Sequence, residues 1–133
     1  MTDVTLVSCT NAKRDHEAPA RILYDESAYF RKMRAWAESR GDPWYILSSR
    51  YGLVEPNTPI APYDERGLSD DQGDHIAETL RDRGVDRVYV SAGRDYLDAL
   101  TPALESEGID VVDPFAGLRI GERMTELQAR THD

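Results

Sequence analysis

Val4-Thr5-Leu6-Val7-Ser8, running on into Cys9-Thr10-Asn11, decides how the rest of this 133-residue chain is read. It is a short β-branched run bounded by polar residues, and a run of that kind reads as a buried strand. Three further runs follow at wide spacing: Trp44–Ser48, Arg87–Ser91 and Ile109–Val112. Between them the apolar period changes to three-to-four residues, which is the period of a helix face. Tyr29, Phe30, Met33, Trp36 and Ala37 predict a helix over 27–40, stopped by Gly41 and Pro43. Ser69 followed by Gln72 is a capping box that opens a helix with Ile76, Ala77 and Leu80 inward and Gly84 at its end. Residues 94–100 read as helical, with Thr101-Pro102 restarting the helix as cap and first position. A last helix is expected from about Leu118, with Ile120, Met124 and Leu127 inward. The stretch from Tyr51 to Gly67 holds prolines 56, 59 and 62 and reads as a long irregular loop.

Strands that alternate with helices predict an α/β fold: one domain over 1–133, a three-layer sandwich with a mainly parallel sheet of about four strands flanked by helices. Spacing does not order the strands. The length suits one domain, and 40% hydrophobic with 31% charged residues suits one core. No apolar run approaches a bilayer span. No basic and apolar leader opens the chain, so a cytoplasmic location is expected. One cysteine excludes an internal disulfide and a multi-cysteine zinc site.

The charge is lopsided. Asp and Glu number 25 against 16 Lys and Arg, a net charge of −9, and Lys13 and Lys32 are the only lysines. Scarce lysine beside 15 aspartates is what a salt-adapted surface looks like, because dense carboxylates hold water and ions. A halophilic cytoplasm is the expectation. Concentrated salt would screen the repulsion that otherwise keeps an acidic protein off nucleic acid.

Ligands of parallel sheets bind beyond the carboxyl ends of the strands. Here those ends share a composition: Ser8-Cys9-Thr10-Asn11, Ser48-Ser49-Arg50, Ser91-Ala92-Gly93-Arg94 and Asp113-Pro114-Phe115-Ala116-Gly117. Small hydroxyl and glycine residues let a ligand approach the backbone, and helix N-termini offer N–H groups to it. Taken singly, such residues only make tight turns. Together they predict a polar pocket on one sheet edge. Lys13, four residues after Cys9, is either its nucleophile or proton carrier, or a solvated loop lysine. Cys9 is either a thiolate or, as is commoner, a small buried hydrophobe. Arg50 and Arg94 either clamp a phosphate or carboxylate or pair on the surface. Tyr63 and Asp64 either fold over the pocket, stacking on a base and accepting a proton, or pack as a tyrosine and a turn aspartate; Tyr24 has the same two readings. Tyr29, Phe30 and Trp36 read as core. His16, His75 and His132 are scattered, and metal-ligand spacing, a Walker loop and G-x-G-x-x-G are absent, so neither metal nor cofactor is expected.

These residues carry a resemblance. Leu6-Val7-Ser8-Cys9 with Lys13, Leu23-Tyr24, Ile46-Leu47-Ser48-Ser49-Arg50-Tyr51-Gly52-Leu53, Pro62-Tyr63-Asp64, Gly93 with Tyr96, and Gly117-Leu118-Arg119-Ile120-Gly121 resemble the blocks of a family of small bacterial, archaeal and phage domains of unknown function. That family places Ala-Lys more often where this chain has Ser49-Arg50. More distantly, Cys9-x-x-x-Lys13 is similar to the core motif of archaeosine synthase, where Pro-Tyr follows in place of Arg14-Asp15. The domain that carries that motif looks like the uracil-DNA glycosylase superfamily. The glycosylase's water-activating and histidine motifs are not visible here. The resemblance implies a nucleobase, nucleoside or nucleic-acid ligand. Two expectations follow: an enzyme acting through Lys13, or a non-catalytic binding module of a modification or defence system. A purely structural protein is the third.

Overall fold

Val4–Ser8 lies at the centre of the sheet. In the computed structural model, which describes residues 2–131, β1 (Asp3–Ser8) pairs in parallel with β3 (Trp44–Ser48) on one side and with β6 (Arg87–Ser91) on the other. From Val4 to Ser8 every residue of β1 is buried, as a strand covered on both faces must be. β7 (Asp110–Val112) extends the sheet in parallel beyond β6. β4 (Gly52–Val54) closes the other edge, antiparallel to β3, so the order is β4-β3-β1-β6-β7.

The sheet thus has five strands where about four were expected. The additional strand lies inside the supposed loop from Tyr51 to Gly67. It is three residues long, and Gly52 at φ +74° supplies the left-handed turn that folds it back on β3. The same stretch yields β5 (Pro59–Ile60), which pairs antiparallel with β2 (Ala18–Pro19) in a separate ribbon beside the single-turn α1 (Ala20–Leu23). Two-residue strands that contain proline have no readable alternation, which is why the sequence hid them.

Five helices complete the described residues. α2 (Ala28–Arg40) starts where Ser27 Oγ accepts from Phe30 N–H and stops at Gly41, φ +82°. It buries Phe30, Met33, Trp36 and Ala37; Tyr29 is only half-buried, a departure from the expected core stripe. α3 (Asp70–Asp82) has the expected Ser69–Gln72 capping box. α4 (Arg94–Ser106) is one continuous helix, with no restart at Thr101-Pro102. Pro102 lies on the exposed side, while Ala99, Leu100, Ala103 and Leu104 pack inward on both sides of it. Their burial outweighs the lost backbone hydrogen bond. α3 lies so close to α4 that a Cβ on Gly73 would stand 2.5 Å from Ala99 O. α5 (Ile120–Arg130) packs on α2 but buries only Leu127 fully; Ile120, expected inward, is 60% exposed. No helix among the described residues is long and apolar enough to cross a membrane. His132 lies outside the described residues.

Candidate functional site

The strand order fixes where a site can form. β1 leads through α2 to β3 on its left, whereas β6 leads through α4 to β7 on its right. The chain therefore leaves the carboxyl ends of β1 and β6 in opposite directions and opens a crevice between them, the usual ligand position in such sheets. A cavity of about 390 Å³ occupies that place. Ser8, Cys9, Asn11 and Lys13 from the β1 end line it, with Gly93, Asp95 and Tyr96 from the β6 end. Ser27 and Tyr29 at the start of α2, Glu65 and Arg66, and Ile120 complete the wall. Arg123 ties α5 to this edge by donating to Leu118 O at 2.9 Å and Ala92 O at 3.3 Å.

Beside the cavity, reaching it through Cys9 and Tyr96, lies a protic floor. The Cys9 thiol shares a hydrogen bond of 2.9 Å with the Tyr96 hydroxyl, and both residues are buried. Ser48 Oγ donates to the Tyr63 hydroxyl at 2.8 Å, which shares a 2.5 Å bond with the hydroxyl of fully buried Tyr24. Ser48 Oγ also accepts from the N–H groups of Arg50 and Tyr51 and so shapes the turn after β3. Burial pushes the phenols of Tyr24, Tyr63 and Tyr96 well above the usual tyrosine value; next to burial, the neighbouring Tyr63 adds to the rise at Tyr24, and Cys9 does so at Tyr63 and Tyr96. All three are neutral donors at any ordinary pH.

Lys13 rests on this floor. Its Nζ lies 4.7 Å from the Tyr63 ring centre and 5.8 Å from that of Tyr24, and it donates to Asn11 O at 3.4 Å. The ring faces hold the half-buried ammonium in place. Lys13 also lines an adjoining hollow of about 330 Å³ with Asn11, Arg14, Tyr63 and Asp64. Asp64 is exposed there, and among the described residues no ion pair joins it to Lys13.

The remaining candidates scatter. Ser49 Oγ donates to Glu65 O at 2.5 Å and anchors the segment that carries Glu65 and Arg66. Arg50 is exposed, with Glu65 3.8 Å away, and lines a different hollow beside Tyr51 and His75. Arg94 is the first residue of α4 and is exposed, outside the cavity lining. Ser91 is fully buried with no hydrogen-bond partner for its hydroxyl, and it too is outside the lining. Sequence reasoning passed over Ser27, Glu65, Arg66 and Asp95. Asp95 closely follows the end of β6; nothing local marks Ser27, Glu65 and Arg66, and only the topology brings those three to the β1–β6 crevice. Among the described residues no three metal-ligating side chains come together.

No curated protein and no solved structure matches this chain. Residues 4–129 match the model of a family of unknown function, DUF6884, so the chain belongs to that family.

Proposed function

We propose that the cavity between the ends of β1 and β6 receives a nucleobase, nucleoside or nucleotide, and that Lys13 is the residue that acts on it. The observation that carries this reading is the meeting of Cys9, Asn11 and Lys13 with Gly93, Asp95 and Tyr96 around one cavity. Its volume lies in the range of small-molecule sites. Its wall mixes aromatic Tyr29 and Tyr96 with cationic Lys13 and Arg66 and anionic Glu65 and Asp95, which suits a flat ligand whose edge both donates and accepts. α2 and α4 both present their first turns to it, and first-turn N–H groups favour a polar or anionic group. The similarity of Cys9-x-x-x-Lys13 to the archaeosine synthase core, and of that domain to the uracil-DNA glycosylase superfamily, points to the same ligand class. In this reading helix pairs α2–α5 and α3–α4 cover opposite faces of the sheet as the outer layers of a sandwich. Asp64 exchanges a proton from the adjoining hollow. Ser8 and Asn11 bind the ligand edge, and Arg50 and Arg94 reach only a large ligand such as a nucleic acid. A cytoplasmic setting fits the one buried, unbridged cysteine.

A thermal-shift screen with bases, nucleosides and nucleotides, followed by chromatography of each stabilising compound, tests the proposal. At least one compound stabilises the protein and is converted. Lys13→Ala abolishes conversion and lowers the melting temperature by no more than about 5 °C, since the ring contacts it removes, at Tyr63 and Tyr24, are worth roughly 1 kcal/mol together. Equal turnover by the variant would take Lys13 out of the mechanism. A compound that stabilises but returns unchanged would favour the alternative, a non-catalytic binding module.

A further inference from the structure

Ile120 is the most exposed large apolar side chain of the described residues. It does not sit on the polar side of its helix. Ile120, Met124 and Leu127 follow one another at four- and three-residue spacing, so they form one stripe along α5. Leu127 is buried, Met124 half-buried and Ile120 60% exposed, so the stripe runs off the end of the core. What lies under its last member is the cavity, whose wall includes Ile120. Tyr29, one helix over on α2, is likewise the member of an apolar stripe that stops short of burial and lines the same cavity. The two helices pack on each other, and Arg123 fixes the start of α5 to the β6–α4 turn. Two core stripes thus end in one apolar lip above a polar floor.

We propose that Ile120 and Tyr29 form the surface on which the flat face of the ligand's heterocycle rests, making Ile120 a specificity-determining residue. The inference rests on the cavity being a site for a base, nucleoside or nucleotide. It assigns the polar floor to the ligand's edge or its charged part and the lip to its ring. A ligand without a ring then gains nothing from Ile120, while a ring covers apolar surface that water otherwise touches.

The test titrates the full chain calorimetrically with AMP, GMP, CMP and UMP and with ribose 5-phosphate. Wild type is compared with Ile120→Ala and Ile120→Leu. The alanine variant weakens the tightest nucleotide about five- to tenfold, from the three carbons withdrawn from the contact. The leucine variant stays within about twofold, and neither variant melts measurably lower, because the residue is exposed. Ribose 5-phosphate binds the alanine variant no more weakly than it binds wild type. Unchanged nucleotide affinity in Ile120→Ala overturns the inference and leaves the proposed ligand class standing. An equal loss for ribose 5-phosphate overturns it too. If wild type binds none of the four nucleotides, nor any base or nucleoside, the ligand class itself falls, and the role of Ile120 with it.

Discussion

Replacing Tyr63 by phenylalanine separates the floor of the site from its cation. The substitution keeps the ring on which Lys13 rests and removes a hydroxyl that serves two buried partners. Ser48 Oγ keeps its role as acceptor for the Arg50 and Tyr51 amides, so its loss is partial. Tyr24 is fully buried, and its hydroxyl loses the partner 2.5 Å away. Stranding a buried donor costs about 1–3 kcal/mol, whereas removing both partners of a hydrogen bond is nearly neutral. Tyr63→Phe is therefore expected to lower stability by about 2 kcal/mol. At about 3–5 °C per kcal/mol for a chain of this length, that is a melting temperature lower by about 6–10 °C. Adding Tyr24→Phe should give much of this back, so that the double variant costs at least about 1 kcal/mol less than the sum of the singles. Urea unfolding of the four proteins measures this directly. Additive single effects, or a Tyr63→Phe cost below about 0.5 kcal/mol, would show that the hydroxyl bond contributes no stability and that the floor is held by ring packing alone.

Three phenols raised by burial make the fold sensitive to alkali. A group whose folded value lies above its unfolded value of about 10 keeps its full contribution below pH 10 and loses it as the pH climbs further. Stability should fall by up to about 4 kcal/mol per pH unit above 10, and by about a third less in Tyr24→Phe; pH-dependent urea midpoints that stay flat to pH 11 would refute it. Gly73→Ala should destabilise in spite of the roughly 1 kcal/mol that alanine gains in a helix, because its Cβ would meet the Ala99 backbone at 2.5 Å and force α3 from α4. An unchanged or raised denaturation midpoint would mean that the helices part freely. If the acidic surface is adapted to salt, the melting temperature rises between 0.1 and 2 M potassium chloride; a constant or falling value ends that reading.

The parallel strands were legible because each is a short apolar run, and the long helices because periodic apolar faces stand beside signals such as the Ser69–Gln72 capping box and the stop at Gly41 and Pro43. β4 was not, since three residues beside a glycine have no period of their own and owe their conformation to β3. Ile120 departs from its expected inward place for an opposite reason: it continues the stripe of Met124 and Leu127, but a stripe does not say where the core beneath it ends. On the sheet side of the cavity the expected edge is legible in part: Ser8, Cys9 and Asn11 from the end of β1 and Gly93 from that of β6 line it, whereas Ser48, Ser49 and Ser91 do not. The cavity's far wall was not legible. Glu65, Arg66 and Ser27 come from segments whose only link to Cys9 and Gly93 is the crossing of the chain, and no local pattern encodes that.

The placing of β1 has a cost during synthesis. β1 is made before both of its strand neighbours, and the second of them, β6, ends only at Ser91. At about 5–20 residues per second the ribosome leaves that apolar ribbon half-partnered for several seconds. Truncations that stop short of β6 should therefore aggregate even when every residue they contain is native, because β1 is left with one open edge.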